Sequence, residues 1–162
     1  MRIAIVSDTH LPRGSRTIPD PCVERMRSAD LVLHAGDLST ASVLEDLRGL
    51  GPPVAAVHGN IDSAELRGLL PERQVVDAAG VRIGLVHDAG PARGRLQRMR
   101  MAFHDCEAVV FGHSHIPLHE EEAGFQIFNP GSPTDRRRQP RHSMGAARVD
   151  GSRVTFEHVW LD

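Results

Sequence analysis

Short apolar runs rich in Val and Ile recur along the chain, and the residues that end them constrain the fold most. Arg2 to Ser7 stops at Asp8-Thr9-His10, Leu31 to Ala35 at Gly36-Asp37, and Val54 to Val57 at His58-Gly59-Asn60; Val81 to Val86 stops at His87, and Ala108 to Phe111 at Gly112-His113-Ser114-His115. Segments with helical signals separate the first three runs, which is βαβ punctuation. Asp20-Pro21 reads as an N-cap followed by Pro at the first helical position. Between the second and third runs, Ser42 to Leu50 carries Val43, Leu44, Leu47 and Leu50 at helical spacing.

Beyond Asn60 the punctuation changes. Gln74 to Ala78 and Val81 to Val86 flank Ala79-Gly80 and predict a hairpin, so the sheet is expected to be mixed. A helix over Gly94 to Phe103 places Leu96, Met99 and Phe103 on one stripe and its arginines on a wet face. Strands follow near Phe125 to Asn129, Ala146 to Val149 and Val154 to Trp160. Ser132 to Ser143, with Arg136-Arg137-Arg138, is expected to be a mobile polar loop. At 162 residues and 40% hydrophobic composition, one domain spanning residues 1–162 is expected.

In an open α/β sheet the carboxyl ends of parallel strands line one crevice, and ligands bind there. Asp8 to Asp37 and Asp37 to Asn60 are each separated by close to one βαβ unit, so successive pieces land side by side. Within Asp8/His10 and His113/His115, an offset of two in extended chain sends both side chains to the same side. Two carboxylates, one amide and four imidazoles exceed what one tetrahedral zinc uses, but they suit two divalent ions sharing a carboxylate. Two-metal sites clamp the attacking and leaving oxygens of an in-line phosphoryl displacement. Two dications, two carboxylates and a bridging hydroxide leave a net charge of about +1, which attracts a phosphate ester.

The order Asp-x-His, Gly-Asp, Gly-Asn, His, Gly-His-x-His resembles the calcineurin-like metallophosphoesterase superfamily. With Gly59-Asn60-Ile61-Asp62 and its small size, the chain is most similar to the short YfcE-type phosphodiesterases. The resemblance covers nearly the whole chain. It implies an α/β (α+β) fold, a two-layer mixed β-sandwich flanked by helices. It also implies that Asp8, His10 and His115 bind one metal, that Asn60, His87 and His113 bind the other, and that Asp37 bridges them. Mn²⁺ is the metal the resemblance favours, with Fe, Ni, Co or Zn admitted by mixed N/O ligation.

The reaction so implied is hydrolysis of small phosphodiesters by a metal-bridging hydroxide, with Asp37 and Asn60 in the catalytic centre. Many larger relatives carry a His after the Asn, resembling a leaving-group acid; this chain has Ile61, and His58 is the residue that could stand in for that acid. Diesters with good leaving groups should therefore turn over faster than alkyl monoesters. Asp88 follows His87 where relatives often have Gly. Asp62, which matches short family members, is expected instead to cap a helix with Glu65 three residues on. Arg13, Arg16 and Arg137 are candidates for substrate phosphate, because guanidinium forks suit its oxygens. His34 is expected to be buried and hydrogen-bonded to backbone, or to support a metal ligand. His104, His119, His142 and His158 read as surface or packing residues, and Asn129-Pro130-Gly131-Ser132 as a turn shaping the site's rim.

Composition narrows the alternatives. The net charge is −2, and the basic residues are all arginine, so the overall balance argues against a nucleic-acid partner or a nuclease. Cys22 and Cys106 are far apart, which gives no disulfide framework or thiolate zinc motif and makes a reducing cytoplasm the default. No apolar stretch approaches the roughly 20 residues of a membrane span. The competing class is a protein-interaction scaffold on the same fold, as in the retromer subunit that resembles this family with a degraded metal site; the intact histidines speak against it. A homo-dimer or tetramer is what the resemblance suggests.

Overall fold

The computed structural model describes residues 1–161. Ten strands and four helices run in the order β1 (Arg2–Val6), α1 (Asp20–Arg27), β2 (Leu31–His34), α2 (Ala41–Arg48), β3 (Val54–Ala56), α3 (Ala64–Leu69), β4 (Arg73–Ala78), β5 (Val81–Val86), α4 (Arg95–Ala102), β6 (Ala108–Val110), β7 (Leu118–Glu122), β8 (Phe125–Asn129), β9 (Ser143–Asp150) and β10 (Arg153–Trp160). They form two five-stranded sheets, ordered β10-β9-β1-β2-β3 and β4-β5-β6-β8-β7.

In the first sheet β1, β2 and β3 are parallel, as the βαβ punctuation requires, while β9 and β10 add antiparallel. In the second, β4 and β5 form the hairpin around Ala79-Gly80, and β5, β6 and β8 run parallel. Both sheets are mixed, and they pack face to face. Ile3, Ile5 and Leu33 of the first meet Ile83, Leu85, Val110 and Phe128 of the second in one buried cluster.

The alternate residues of the parallel strands face outward and are buried too, so these strands read as continuous apolar runs. Ala4, Val6 and Val32 lie under Met26, Leu44, Leu47 and Leu66 from α1, α2 and α3. On the opposite flank Leu96, Met99 and Phe103, the stripe expected for α4, cover Val109, Phe111 and Ile127. The two-layer sandwich flanked by helices is the observed architecture. No described helix is long and apolar enough to cross a membrane.

Four local expectations are corrected. Pro19, not Asp20, is the N-cap of α1; Asp20 opens the first turn, where its charge favours the helix N-terminus. The α3 cap is Ser63, whose Oγ accepts the Leu66 N–H at 3.2 Å, so Asp62 is released for another role. Strand β7 was not foreseen, because Leu118–Glu122 is a solvated edge with three consecutive glutamates and no apolar alternation. The α4 arginines are not simply wet: Arg95 and Arg98 donate to the Gly90 and Ala89 carbonyls, and Arg95 and Arg100 lie over the rings of Phe111 and Phe125.

Candidate metal centre

Five parallel strands, three from one sheet and two from the other, deliver the candidate ligands at their carboxyl ends. The loops that follow stay in register. The Asp8 and His10 N–H groups donate to the Gly36 and Asp37 carbonyls at 3.0 Å each, and Gly112 N–H donates to the His87 carbonyl at 2.9 Å.

Asp8, His10, Asp37, His113 and His115 all have φ between 48° and 69°. Left-handed backbone at non-glycine residues costs on the order of 1–3 kcal/mol each and persists only where the surroundings fix it. Convergence of Asp8 with His10, and of His113 with His115, thus arises from paired left-handed residues rather than from the extended chain that the offset of two implied. Two glycines are fixed by close approach: a Cβ on Gly59 would sit 2.0 Å from Asp37 Oδ1, and one on Gly112 would sit 1.9 Å from Ser7 Oγ.

The ligand atoms meet as two linked sets. His10 Nε2 lies 3.2 Å from His115 Nε2, and His115 Nε2 lies 3.3 Å from Asp8 Oδ1. In the second set Asn60 Oδ1 lies 3.1 Å from His87 Nε2 and 3.0 Å from His113 Nδ1. Asp37 Oδ2 stands between them, 3.6 Å from His10 Nε2 and 3.3 Å from His87 Nε2. Asp8, His10 and His115 form one group able to hold a metal ion, and Asp8, Asp37 and His87 form another.

The ring tautomers follow from the outer partners. His87 Nδ1–H donates to the Ala35 carbonyl at 2.7 Å, and His115 Nδ1–H donates to the Asp135 carbonyl. Each Nε2 therefore turns a lone pair inward, where it faces carboxylate and amide oxygens that are also acceptors. A proton relieves one such contact, whereas a cation relieves the whole set. This donor chemistry fits divalent metal.

The electrostatics agree. Burial opposes ionisation of Asp8, yet the ring nitrogens of His10 and His115 against it, with the charge that His115 and His87 carry when protonated, outweigh burial and hold the carboxyl below its ordinary range. Asp37 is also buried, and it is held low by His87 and the Ile61 N–H. Both are ionised ligands at neutral pH. Burial pushes the Cys22 and Cys106 thiols up to about 12 and 11, so neither supplies a thiolate.

Behind the ligands lies a supporting layer that the sequence only partly disclosed. Asp62, 4% exposed, accepts from the Asp37, Ser39 and Gly59 N–H groups at 3.1, 2.7 and 2.7 Å. It ties the loop after β2 to the loop after β3, the role that a helix-cap reading hid. The usable signal was its place two residues after Asn60, opposite a Gly-Asp loop whose N–H groups need acceptors. His34 is fully buried, accepts the Gly36 N–H through Nδ1 at 3.2 Å and places Nε2 3.1 Å from Thr9 Oγ1. The observed state is the buried, backbone-bonded histidine, its two partners lying beside Asp37 and between Asp8 and His10, and burial lowers its pKa to about 4.

The Asn129-Pro130-Gly131-Ser132 turn is more than a rim. Asn129 Nδ2 donates to the Gly112 carbonyl at 2.9 Å, and Ser132 Oγ donates to the Asp8 carbonyl at 2.8 Å. Thr134 Oγ1 donates to the Thr9 carbonyl at 2.6 Å, so the segment expected to be a mobile loop is anchored at its start. Arg13 and Arg16 both reach Asp135 Oδ2, at 3.9 and 3.4 Å, beside the carbonyl that holds His115. Arg137 is exposed, and among the described residues no hydrogen bond or ion pair joins it or Arg13 to a ligand side chain. His58 lines a recess of about 260 Å³ beside Asn60 and His87, and its Nδ1 is buried without a hydrogen-bond partner among the described residues. His119 and His158 pack edge-on and stacked against Phe128, as expected of structural histidines.

Residues 1–152 match the sequence profile of the calcineurin-like phosphoesterase superfamily domain. A probable metallophosphoesterase from Methanothermobacter thermautotrophicus is 34% identical over 163 residues, which cover 98% of this chain and 92% of the relative. A phosphodiesterase from Methanocaldococcus jannaschii is 26% identical over 141 residues, 81% of this chain and 83% of that protein. Among solved structures, wild-type Vps29 from Entamoeba histolytica complexed with Zn²⁺ aligns with a TM-score of 0.77 at 26% identity, covering 99% of each chain. With its strand ends carrying these inward-facing donors, and with the profile matched over residues 1–152 and a relative at 34% identity, this chain belongs to the calcineurin-like phosphoesterase superfamily.

Proposed function

We propose that the chain is a dinuclear metal-dependent phosphodiesterase. The observation that carries this reading is Asp37 Oδ2, within 3.6 Å of a histidine nitrogen from each ligand set. Asp8, His10 and His115 would hold one ion, Asn60, His87 and His113 the other, and Asp37 both. Two divalent ions so held supply a water nucleophile near neutral pH and neutralise charge on the phosphoryl oxygens. We favour Mn²⁺, as the family resemblance does, with Fe, Ni, Co or Zn also compatible with the donors.

The residues of the chain do the rest. Asp62 and His34 hold the ligand loops in their left-handed geometry, and the Asn129 to Thr134 turn fixes the Asp8 carbonyl and the Gly112 loop. Ile61, 43% exposed, offers no proton donor where a leaving-group acid would stand, so aryl diesters should react faster than alkyl monoesters. We assign His58 to the substrate side of the centre from its place in the recess beside Asn60. Arg13 and Arg137 are assigned to outer contacts with substrate phosphate, and the buried, unpaired thiols suit a reducing cytoplasm.

The test is hydrolysis of bis(p-nitrophenyl) phosphate, phosphomonoesters and cyclic nucleotides with added Mn²⁺, beside Asp37→Ala as a blank. Metal-dependent diester turnover lost in the variant supports the proposal. The likeness to Vps29 keeps a second reading, a protein-interaction scaffold, in view. A metal-saturated chain that captures a protein partner but cleaves no ester favours the scaffold.

A further inference from the structure

The 260 Å³ recess beside the second ligand set has a charge opposite to that of the centre it adjoins. It is walled by His58, Asn60 and His87 on the metal side and by Arg67, Glu72 and Asp88 on the outer side. The His58 N–H donates to the Pro71 carbonyl at 3.0 Å, which holds the segment carrying Glu72, just before β4, against the loop after β3. Arg67 is engaged with the chain itself, its guanidinium donating to the Asn60 and Asp62 carbonyls at 2.5 and 3.1 Å. Asp88 accepts the Gly90 N–H through Oδ1 at 2.7 Å, and neither Asp88 nor Glu72 has an ion-pair partner among the described residues. Two carboxylates against one guanidinium leave the recess at −1, next to a ligand set that carries excess positive charge once loaded with dications.

We infer that this recess binds the alcohol portion of the substrate, and that the preferred substrate is a zwitterionic phosphodiester whose small alcohol carries a cationic amine. This rests on the phosphodiesterase reading and narrows it. The metal centre takes the phosphate, and Glu72 and Asp88, which line the recess away from the ligands, supply the negative charge that meets the cation. Size agrees with charge: 260 Å³ lies below the roughly 300 Å³ at which pockets for drug-sized ligands begin, so a short amino alcohol fits better than a polymer or a dinucleotide. A substrate with a second phosphate would set that group against both carboxylates.

The experiment compares p-nitrophenyl phosphocholine with its uncharged isostere, p-nitrophenyl 3,3-dimethylbutyl phosphate, at low ionic strength with saturating Mn²⁺. The leaving group and shape are common to both, so the ratio of kcat/KM reads the charge alone. The expected ratio is roughly fivefold in favour of the cationic ester, falling severalfold in Glu72→Gln and dropping below one in Glu72→Arg. Because the ratio cancels metal occupancy and folded fraction, a poorly folding variant still reports. A wild-type ratio of one or less, or a ratio that neither substitution moves, overturns the recess assignment while leaving phosphodiester hydrolysis in place. Failure of both esters and of bis(p-nitrophenyl) phosphate overturns the hydrolase reading itself, and the recess assignment with it.

Discussion

The two halves of the ligand cluster are built to different standards. In the first, Asp8 and His115 are buried, the His115 ring is held from behind by the Asp135 carbonyl, and Asp8 receives the His113 N–H and the Ser7 hydroxyl. In the second, His87 is buried and anchored to Ala35, but Asn60 and His113 are exposed and find each other rather than an outer partner. Outer hydrogen bonds orient a ligand and raise its basicity. On the dinuclear reading proposed above, the first half would be the tighter site and the second, with its exposed ligands, the more exchangeable one.

That contrast can be broken at several strengths. The largest effect is expected at the residue common to both halves: Asp37→Ala should reduce diester turnover by more than the roughly 10–100-fold that loss of a supporting residue costs, and should weaken both metal-binding steps. Turnover assays and metal titration of the variant check it. Next comes Asp62→Asn, which keeps the shape but weakens acceptance from three N–H groups across the Asp37 and Asn60 loops. A loss of roughly 10–100-fold in metal affinity or activity is expected, larger at the second half, because Asp62 does not touch the Asp8 loop.

His34 sharpens the comparison through pH. Its folded pKa of about 4 lies below its ordinary value, so the fold favours the neutral ring. A base depressed in this way contributes stability that is fully present above about pH 6.5 and is lost as pH falls toward 4, because the unfolded chain binds the extra proton first. The loss between pH 7 and pH 4.5 is on the order of 2 kcal/mol, readable by denaturant titration of the metal-free protein at those two pH values, and His34→Gln should flatten it. The smallest effect separates the observed Ser63 cap of α3 from the Asp62–Glu65 pairing that the spacing suggests. Ser63→Ala should cost about 1 kcal/mol, while Glu65→Ala, lacking a cap partner, should stay within about 0.5 kcal/mol by the same measurement.

Much of this is legible in the sequence. The parallel strands are apolar on both faces over most of their length because they are covered on both, and the runs break abruptly where the chain enters the polar crevice. That break marked Asp8, Asp37, Asn60, His87 and His113 as clearly as a motif does. What stayed hidden is work done by backbone groups. Asp62 is a hub only because three N–H groups from distant loops point at it, and Asn129 and Ser132 act on the Gly112 and Asp8 carbonyls across 17 and 124 residues of chain. A side chain that serves someone else's backbone leaves no periodicity. The paired left-handed residues were equally silent, since Asp and His carry no local mark of a positive φ as glycine does. Strand β7 was missed for the opposite reason, as a strand with little buried face has no pattern to display.

The most direct measurement is a calorimetric titration of the metal-free protein with Mn²⁺, paired with the same titration of His115→Ala and His113→Ala. Two equivalents should bind in distinguishable steps, the tighter one abolished by His115→Ala and the weaker one by His113→Ala. A single equivalent, or two that both variants weaken alike, would contradict a centre made of two unequal halves joined at Asp37.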